Sequence, residues 1–596
     1  MEKFIEALGV DVIFDPTTPL SASEPPVPAV DTRTVEFKKG YVHVEGALAL
    51  TCDITFEQDV AIPLRDGTIL YGDIFRPSNE KNVPIILAYT PYCKRGGWWN
   101  LNFNATKFGV PQSTLSGLQS FEAPDPAIWC DAGYAVAVVD AAGTSNSGGD
   151  EVFMGTASGR NVYDVIEWLG QRDWSNGKVG MAGNSQLGMI QWATAALQPP
   201  HLAAIAPWEG LNDSYRDVVM RGGILDTKFH DRDIAAFIFG RNNREALTKM
   251  AQRYPLYNAY WEDKRPDLKA ITVPAYVVAS FTSAIHPRGT LEAFRGVASE
   301  HKWLRVHNNQ EWLDLADAGS TADLRKFFDR YLKNIDNDWD ETPKVRLSIL
   351  DPGGEDQVNR PETSWPLERQ EWRKLYLDAQ SFGLSNEPLT SPSVAEYAGD
   401  DLTQCVRFSK VFEEETEITG YLNLHLWIEA ADADDMDLFA ALYKESADGK
   451  RLHHITLVGP QARGFVKSLE QDGKLPGTLS YTGPLGRLRV SQRAIDPERS
   501  TPSEPLITHR NEDRLIPGEC VPIELSLWPT SMVIHAGERL VVEIAGHPVG
   551  PHAHGTLPGA ILDLPTRNRG RHRIRTGERY DSHLLFPVIP SEHAKK

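Results

Sequence analysis

The sequence predicts an α/β domain built on a mostly parallel sheet, followed by a separate all-β domain. Three observations carry this. Near-continuous apolar runs alternate with helical patterns from about residue 80 to 345. A charged helical stretch over 210–270 interrupts that rhythm, which then resumes. Beyond 345 only short strand-like runs remain, separated by turn clusters, with no long helical period. The length of 596 residues supports the division, since single cores stop growing at roughly 250–300 residues.

The elements follow in order. Residues 1–40 are rich in Pro and Ser and read as an irregular surface arm. Arg65-Asp66-Gly67 is a turn signal leading into the strand TILYGDIFRP. VPIILAYTPY (83–92) and YAVAVVDAAG (134–143) read as strands buried on both faces. RNVYDVIEWLGQR (160–172) has helical spacing through Val162, Val165, Ile166 and Leu169. VGMAGNS is a third buried strand with a helix directly after it, and LAAIAPWEG is a fourth. After the 210–270 segment, strands return at VPAYVVAS (273–280) and KWLRVHN (302–308). The expected organisation is an arm at 1–40, an α/β domain from 41–209 and 271–345, a helical cap at 210–270, and a β-sandwich at 346–596. An insertion so placed covers the strand C-termini, where open α/β sheets bind ligands.

Composition narrows the function classes. A net charge of −20 and a pI near 5.4 argue against nucleic acid and against an anionic membrane surface. No run of about 18 apolar residues is present, so no spanning helix is expected. The first residues, MEKFIEALGVDVIFDP, do not have the form of a signal peptide. Five scattered cysteines, with no metal-type spacing, point to a reducing compartment; the expected location is cytoplasmic. Asp432, Asp434, Asp435 and Asp437 lack the turn Gly and distal Glu of a calcium loop and read as a solvated turn. His552 and His554 read as a loop pair rather than metal ligands. Trp98 and Trp99 suit either a pocket wall or a core. No metal or cofactor is expected.

The strongest chemical signal is Gly183-Asn184-Ser185-Gln186-Leu187-Gly188, between a buried strand and a helix. This is the strand–turn–helix context of a nucleophile elbow, and it makes the first domain an α/β-hydrolase domain with Ser185 as nucleophile. Gly183 stands two residues before the serine. The small residue usual two places after is displaced to Gly188, with Leu187 in its place. At the helix start, the N–H of Gln186 is open to an oxyanion.

Along nearly its whole length the chain resembles the cocaine esterase and Xaa-Pro dipeptidyl-peptidase family of CocE/NonD hydrolases. The resemblance is carried by RDGTILYGDIFRP, PIILAYTPYCK, DAGYAVAVVDAAGTSNSGG, DVIEWLGQRDWSNGKVGMAGNSQLG and LAAIAPWEG. FEEETEITGYLNLHLWIEA, ADDMDLFAALYKESADGKR and LVVEIAGH extend it into the C-terminal region. It implies an α/β-hydrolase domain, a helical cap and a C-terminal jelly-roll β-sandwich walling the site. It also implies that the hydroxyl of Tyr92, in the Pro91-Tyr92 segment, joins Gln186 N–H in an oxyanion hole. The family's Asp-x-Arg-Gly is here Asp140-Ala141-Ala142-Gly143, so the arginine's ion pair is expected to be missing.

The base is where the sequence departs furthest from the family pattern, in which an acid follows the strand after the cap and a histidine follows the next strand. Here the first slot, Ser280 to His286, contains no carboxylate. The second, His307 to Trp312, has Glu311 near the histidine's place. The expectation is that acid and base have exchanged loops, giving Ser185–His286–Glu311. The alternative base is His307, with Glu311, Asp314 or Glu209 as its acid. The chemistry needs only an imidazole between serine and carboxylate. The expected reaction is hydrolysis of a small-molecule ester or amide through a Ser185 acyl-enzyme. The alternatives are acyl transfer or cyclisation at the same site, or an inactive binding protein with the same fold. The β-sandwich offers surface for a homodimer.

Overall fold

A computed structural model describes residues 2–95, 110–458, 479–550 and 564–590. Trp98, Trp99, His552 and His554 lie outside the described residues.

The α/β domain is organised by one mixed sheet of eleven strands. In chain order these are β1 (Arg33–Phe37), β2 (Ile54–Pro63), β3 (Ile69–Pro77), β4 (Val83–Thr90), β5 (Ala135–Asp140), β6 (Ser175–Asn184), β7 (Leu202–Trp208), β8 (Ala275–Ser280), β9 (Lys302–His307), β10 (Val345–Ile349) and β11 (Gln357–Glu362). Their spatial order is 11-10-9-8-7-6-4-5-3-2-1. Strands β4 to β10 run parallel, while β1, β2, β3 and β11 pair antiparallel at the two flanks. The antiparallel flanks were not legible in the apolar pattern, which reports burial and not direction.

Strand β4 shows why the parallel centre reads as unbroken apolar sequence. All eight of its residues are buried. Ile85, Leu87 and Tyr89 enter the core under helices α1 (Gly155–Gly170) and α2 (Gln186–Ala195). Ile86 and Ala88 enter the opposite core, with Phe327 and Phe328 of a later helix, Ala318–Leu332. Period-two alternation thus feeds two cores, so both faces call for mainly apolar side chains. The order reverses at β4, which has β5 on one side and β6 on the other. Ligands of open α/β sheets bind beyond such a reversal, at the strand C-termini.

The arm at 1–40 is less irregular than its composition suggested. Glu2–Ile5 and Val10–Pro16 form a hairpin, and Val10–Pro16 also pairs with Asn243–Glu245 of the insertion. Thr18–Pro19 pairs with Phe239–Gly240. These strands borrow partners more than two hundred residues away, which local composition cannot reveal. The insertion is broken into short pieces, with helices Leu247–Arg253 and Ala259–Asp263 and π-helical turns at Tyr215–Val219 and Phe229–Ile234.

The C-terminal part is all β. Its spine is the pairing of Thr416–Ala430 with Cys520–Ile534, whose Leu422, Leu424, Leu426 and Ile428 meet Ile523, Leu525 and Leu527 in one core. The acidic run corrects the solvated-turn reading in part. Asp435 and Asp437 are buried, Asp437 against Arg489 at 2.8 Å and Asp435 against Arg567 at 2.9 Å. Among the described residues, no helix is long and apolar enough to cross a membrane.

Candidate active site

Ser185 sits between β6 and α2 with φ 53° and ψ −120°. A non-glycine residue there is strained, and the surroundings hold it in place. Its N–H donates to Trp208 O (3.1 Å), while its own carbonyl accepts from Gly188 N and Met189 N. Gly183 and Gly188 explain the shifted glycine. A Cβ at Gly188 would stand 2.6 Å from Trp208 O, and one at Gly183 would stand 2.5 Å from Leu187 Cβ. Leu187 therefore fits because Gly183 makes room, and Gly188 is where helix and strand β7 touch. Every residue of α2 is buried, while Ser185 at its mouth stays partly accessible. Gln186 opens the helix, where the first-turn N–H groups lack intrahelical acceptors.

The neighbouring strand ends gather the other groups. Strand β4 pairs with β6, so the Tyr92 segment and Ser185 leave adjacent strands at the same edge. Tyr92 is buried, edge-on to Phe121 with ring centroids 5.4 Å apart. Burial, with Glu122 and Glu311 nearby, raises its hydroxyl pKa well above the usual phenol value, so the proton stays on oxygen. Glu209 follows β7, and His307 ends β9 opposite Ser280. His286 lies beyond β8 and immediately precedes α3 (Pro287–Gly296), with no capping bond from its side chain. Glu311 is the first residue of α4 (Glu311–Leu315), whose start is capped by the Gln310 side chain.

The structure brings His286 and Glu311 together. His286 Nε2 is 3.9 Å from Glu311 Oε2. Asn184, the residue before the serine, donates to the same carboxyl oxygen at 3.1 Å. Neither ring nitrogen of His286 has a hydrogen-bond partner among the described residues, so Ser185 and His286 are not hydrogen-bonded to each other. Burial pushes the His286 pKa down to about 3, leaving the ring neutral. Burial and the charge of Glu209 push Glu311 up to about 8.

His307 is placed differently. Its Nε2 is 3.0 Å from Glu209 and 4.0 Å from Asp314, and its Nδ1 accepts the Asn309 N–H at 3.2 Å. Burial opposes its charge, but Asp314 and Glu209 outweigh this and raise its pKa. Asp314 is held by Arg305 through two bonds of 2.8 and 2.6 Å, which bring its pKa to about 2 despite burial.

Comparison with known proteins adds the family. The X-Pro dipeptidyl-peptidase (S15 family) model matches residues 66–236, and that family's C-terminal non-catalytic domain matches residues 337–585. A solved CocE/NonD family hydrolase from Staphylococcus aureus is 32% identical, with a TM-score of 0.84 over 94% of this chain and 97% of its own. The chain belongs to the CocE/NonD hydrolase family. Cocaine esterase of Rhodococcus sp. (strain MB1 Bresler) is 22% identical over 603 residues, covering 89% of this chain and 98% of the esterase. A solved α-amino acid ester hydrolase, 18% identical with a TM-score of 0.63 over 90% of this chain and 97% of its own, shares the fold. The chain is thus a hydrolase of an esterase and peptidase family.

Within the CocE/NonD frame, the missing arginine after Asp140 has a substitute. Lys94 Nζ pairs with Asp140 at 2.8 Å and with Asp59 at 2.9 Å. The expected loss of an ion pair is therefore corrected: the cation arrives from the segment after β4. Sequence reasoning also missed Asn184 and Glu122. Asn184 Nδ2 approaches both Glu311 and, at 3.5 Å, Glu122, which also accepts from Trp312 Nε1 at 2.9 Å. Asn184 was discoverable by its adjacency to Ser185. Glu122 had no signal, since it stands 63 positions from Ser185 in a stretch without pattern.

Proposed function

We propose that this CocE/NonD hydrolase cleaves an ester or amide of a small molecule through an acyl-enzyme on Ser185. His286 serves as base, with Glu311 as its acid. The carrying observation is the strained Ser185 at a helix mouth, one residue from an Asn184 that binds Glu311, which in turn faces an otherwise unpartnered His286. The separation of 3.9 Å exceeds a hydrogen bond, and apo catalytic contacts often tighten only with substrate.

In the acylation step Ser185 Oγ attacks the carbonyl carbon and its proton passes to His286. The oxyanion is held by Gln186 N–H and Tyr92 O–H, both of which gain strength in a dry site. His286 then gives the proton to the leaving alkoxide or amine. Water, deprotonated by the same ring, attacks the acyl-enzyme and regenerates Ser185. With its pKa raised to about 8, Glu311 must first lose its own proton; a neutral resting His286 can then accept the serine proton, because the imidazolium and the ionised carboxylate stabilise each other. His307 is a poor base here because both its nitrogens are occupied.

Fluorophosphonate labelling tests the reading. The wild-type chain should label at a single serine and hydrolyse a para-nitrophenyl ester, and Ser185→Ala should do neither. Labelling elsewhere, or turnover by Ser185→Ala, overturns it.

A further inference from the structure

The loop before His286 forms one wall of a cleft where the insertion meets the β domain. Ser283 and Ile285 line one side, Phe229 the second, and Phe439 and Trp528 the third. Most of its lining is apolar or aromatic, which suits the hydrocarbon part of a small organic molecule.

Two guanidinium groups, those of Arg221 and Arg487, also face this cleft. They are brought together deliberately by the backbone. Gly222 and Gly223 follow Arg221 with φ of 61° and 78°, and a Cβ on Gly222 would overlap the Arg487 carbonyl oxygen. The turn can therefore lie directly against strand Leu485–Arg489 only because it is glycine. Arg221 Nη2 donates to Leu485 O at 2.6 Å, and Arg487 Nε donates to Arg221 O at 3.0 Å. The Arg221 guanidinium also stacks 3.6 Å over the Trp528 ring.

What this pair lacks is a counterion. Among the described residues neither arginine makes an ion pair. Asp217 and Asp226 also line the cleft and their fields reach the pair, as does that of Asp437, but none of the three forms an ion pair with either arginine. Asp217 binds Arg288 at 2.5 Å, Asp437 binds Arg489 at 2.8 Å, and Asp226 accepts the N–H groups of Lys228 and Phe229 at 3.0 and 3.1 Å. Burial, followed by the charge of Arg487, holds Arg221 well below the usual guanidinium pKa; burial brings Arg487 to about 10. Two like charges in a low-dielectric cleft are costly unless an anion joins them. Planar guanidinium forks match a carboxylate, and the aromatic walls suit a hydrocarbon body better than a hydrated inorganic ion.

We propose that Arg221 and Arg487 clamp a carboxylate carried by the substrate, so that the enzyme acts on esters or amides bearing a free carboxylate on an apolar body. The reaction rests on the serine-hydrolase reading, whereas the binding does not.

Two measurements keep these apart. The first is calorimetric titration of the Ser185→Ala protein with phenylbutyrate and with uncharged phenylbutyramide. The acid should bind roughly 10- to 100-fold more tightly, as hydrogen bonds to a charged group allow. Arg487→Met should abolish that preference, and Arg487→Lys, which keeps the charge, should retain part of it. Equal affinity for acid and amide overturns the clamp, as does a preference that survives Arg487→Met in a folded protein. The second is kcat/KM of the wild type on the para-nitrophenyl monoester of glutaric acid against that of glutaramic acid. A higher value for the acid supports the clamp, and equal values overturn its role in substrate choice. Carboxylate binding with no turnover of either ester would sink the serine-hydrolase reading and leave the clamp standing.

Discussion

His286 stands beyond β8 and His307 ends the neighbouring strand β9, both buried and both within reach of a glutamate, yet their surroundings differ. His307 has both nitrogens engaged, by Glu209 and by the Asn309 N–H, and its pKa is raised. Among the described residues His286 has neither nitrogen hydrogen-bonded, and burial lowers its pKa to about 3. A buried polar group without a partner costs free energy of about 1–3 kcal/mol. The contrast teaches that proximity to a carboxylate does not identify a base. A saturated ring holds strands together, while an unsatisfied one is available to accept a proton.

The largest effect that could break this comparison is on acylation. His286→Ala should slow acylation of Ser185 by roughly 10²–10⁴, the usual worth of a positioned base, and His307→Ala should change it far less. Stopped-flow release of para-nitrophenol reads this directly, and the reverse ranking would move the base to His307. Tyr92→Phe sharpens the assignment from the other side of the serine. Losing one oxyanion donor should lower kcat by about 10²–10³ with little change in KM. A raised KM at constant kcat would mean that Tyr92 only binds substrate.

The next effect is on stability. His307→Ala leaves Glu209 buried without its partner and should cost roughly 3–5 kcal/mol in denaturant unfolding. Because the folded pKa of His307 is raised, its contribution is complete below the unfolded value of 6.5 and is lost as pH rises through the folded value. The destabilisation should therefore be larger near about pH 6 than near about pH 9. A cost independent of pH would mean that packing, not charge, is what His307 supplies.

The smallest effect concerns Glu311. Its pKa is raised from 4.5 to about 8, so the folded chain keeps a proton that the unfolded chain releases, and stability falls as pH rises through that window. Glu311→Gln should remove this slope. The variant should melt a few degrees above the wild type on the alkaline side and converge with it on the acid side, while acylating more slowly throughout. Parallel melting curves would show that Glu311 is ionised in the resting protein.

Much of the fold was legible because burial writes itself into sequence. VPIILAYT is nearly continuous apolar sequence because both faces of β4 are covered, and GNSQLG between a strand and a helix marks an elbow because few other uses need that order. The pairing of the N-terminal arm with residues 239–245 was illegible, since two- and three-residue strands have no period to read. At the candidate site, Ser185 and the loops that carry His286 and Glu311 could be named from order along the chain. The Asn184–Glu311 bond, Glu122 and the Lys94–Asp140 pair could not, because each joins residues from different strand ends.

By itself, then, the sequence determined the succession of an α/β region and an all-β region, though not the boundary at 345, since β11 (Gln357–Glu362) still belongs to the first sheet; it also determined the strand–Ser185–helix turn and the shortage of carboxylates in the loop after β8. These follow from local patterns of polarity, glycine and spacing, which are properties of neighbours in the chain. Only the tertiary structure decided which histidine is satisfied, which carboxyls crowd one another, and which arginines form no ion pair among the described residues. Those are properties of neighbours in space, where a few ångströms in a low-dielectric interior change a group's charge and its chemical role.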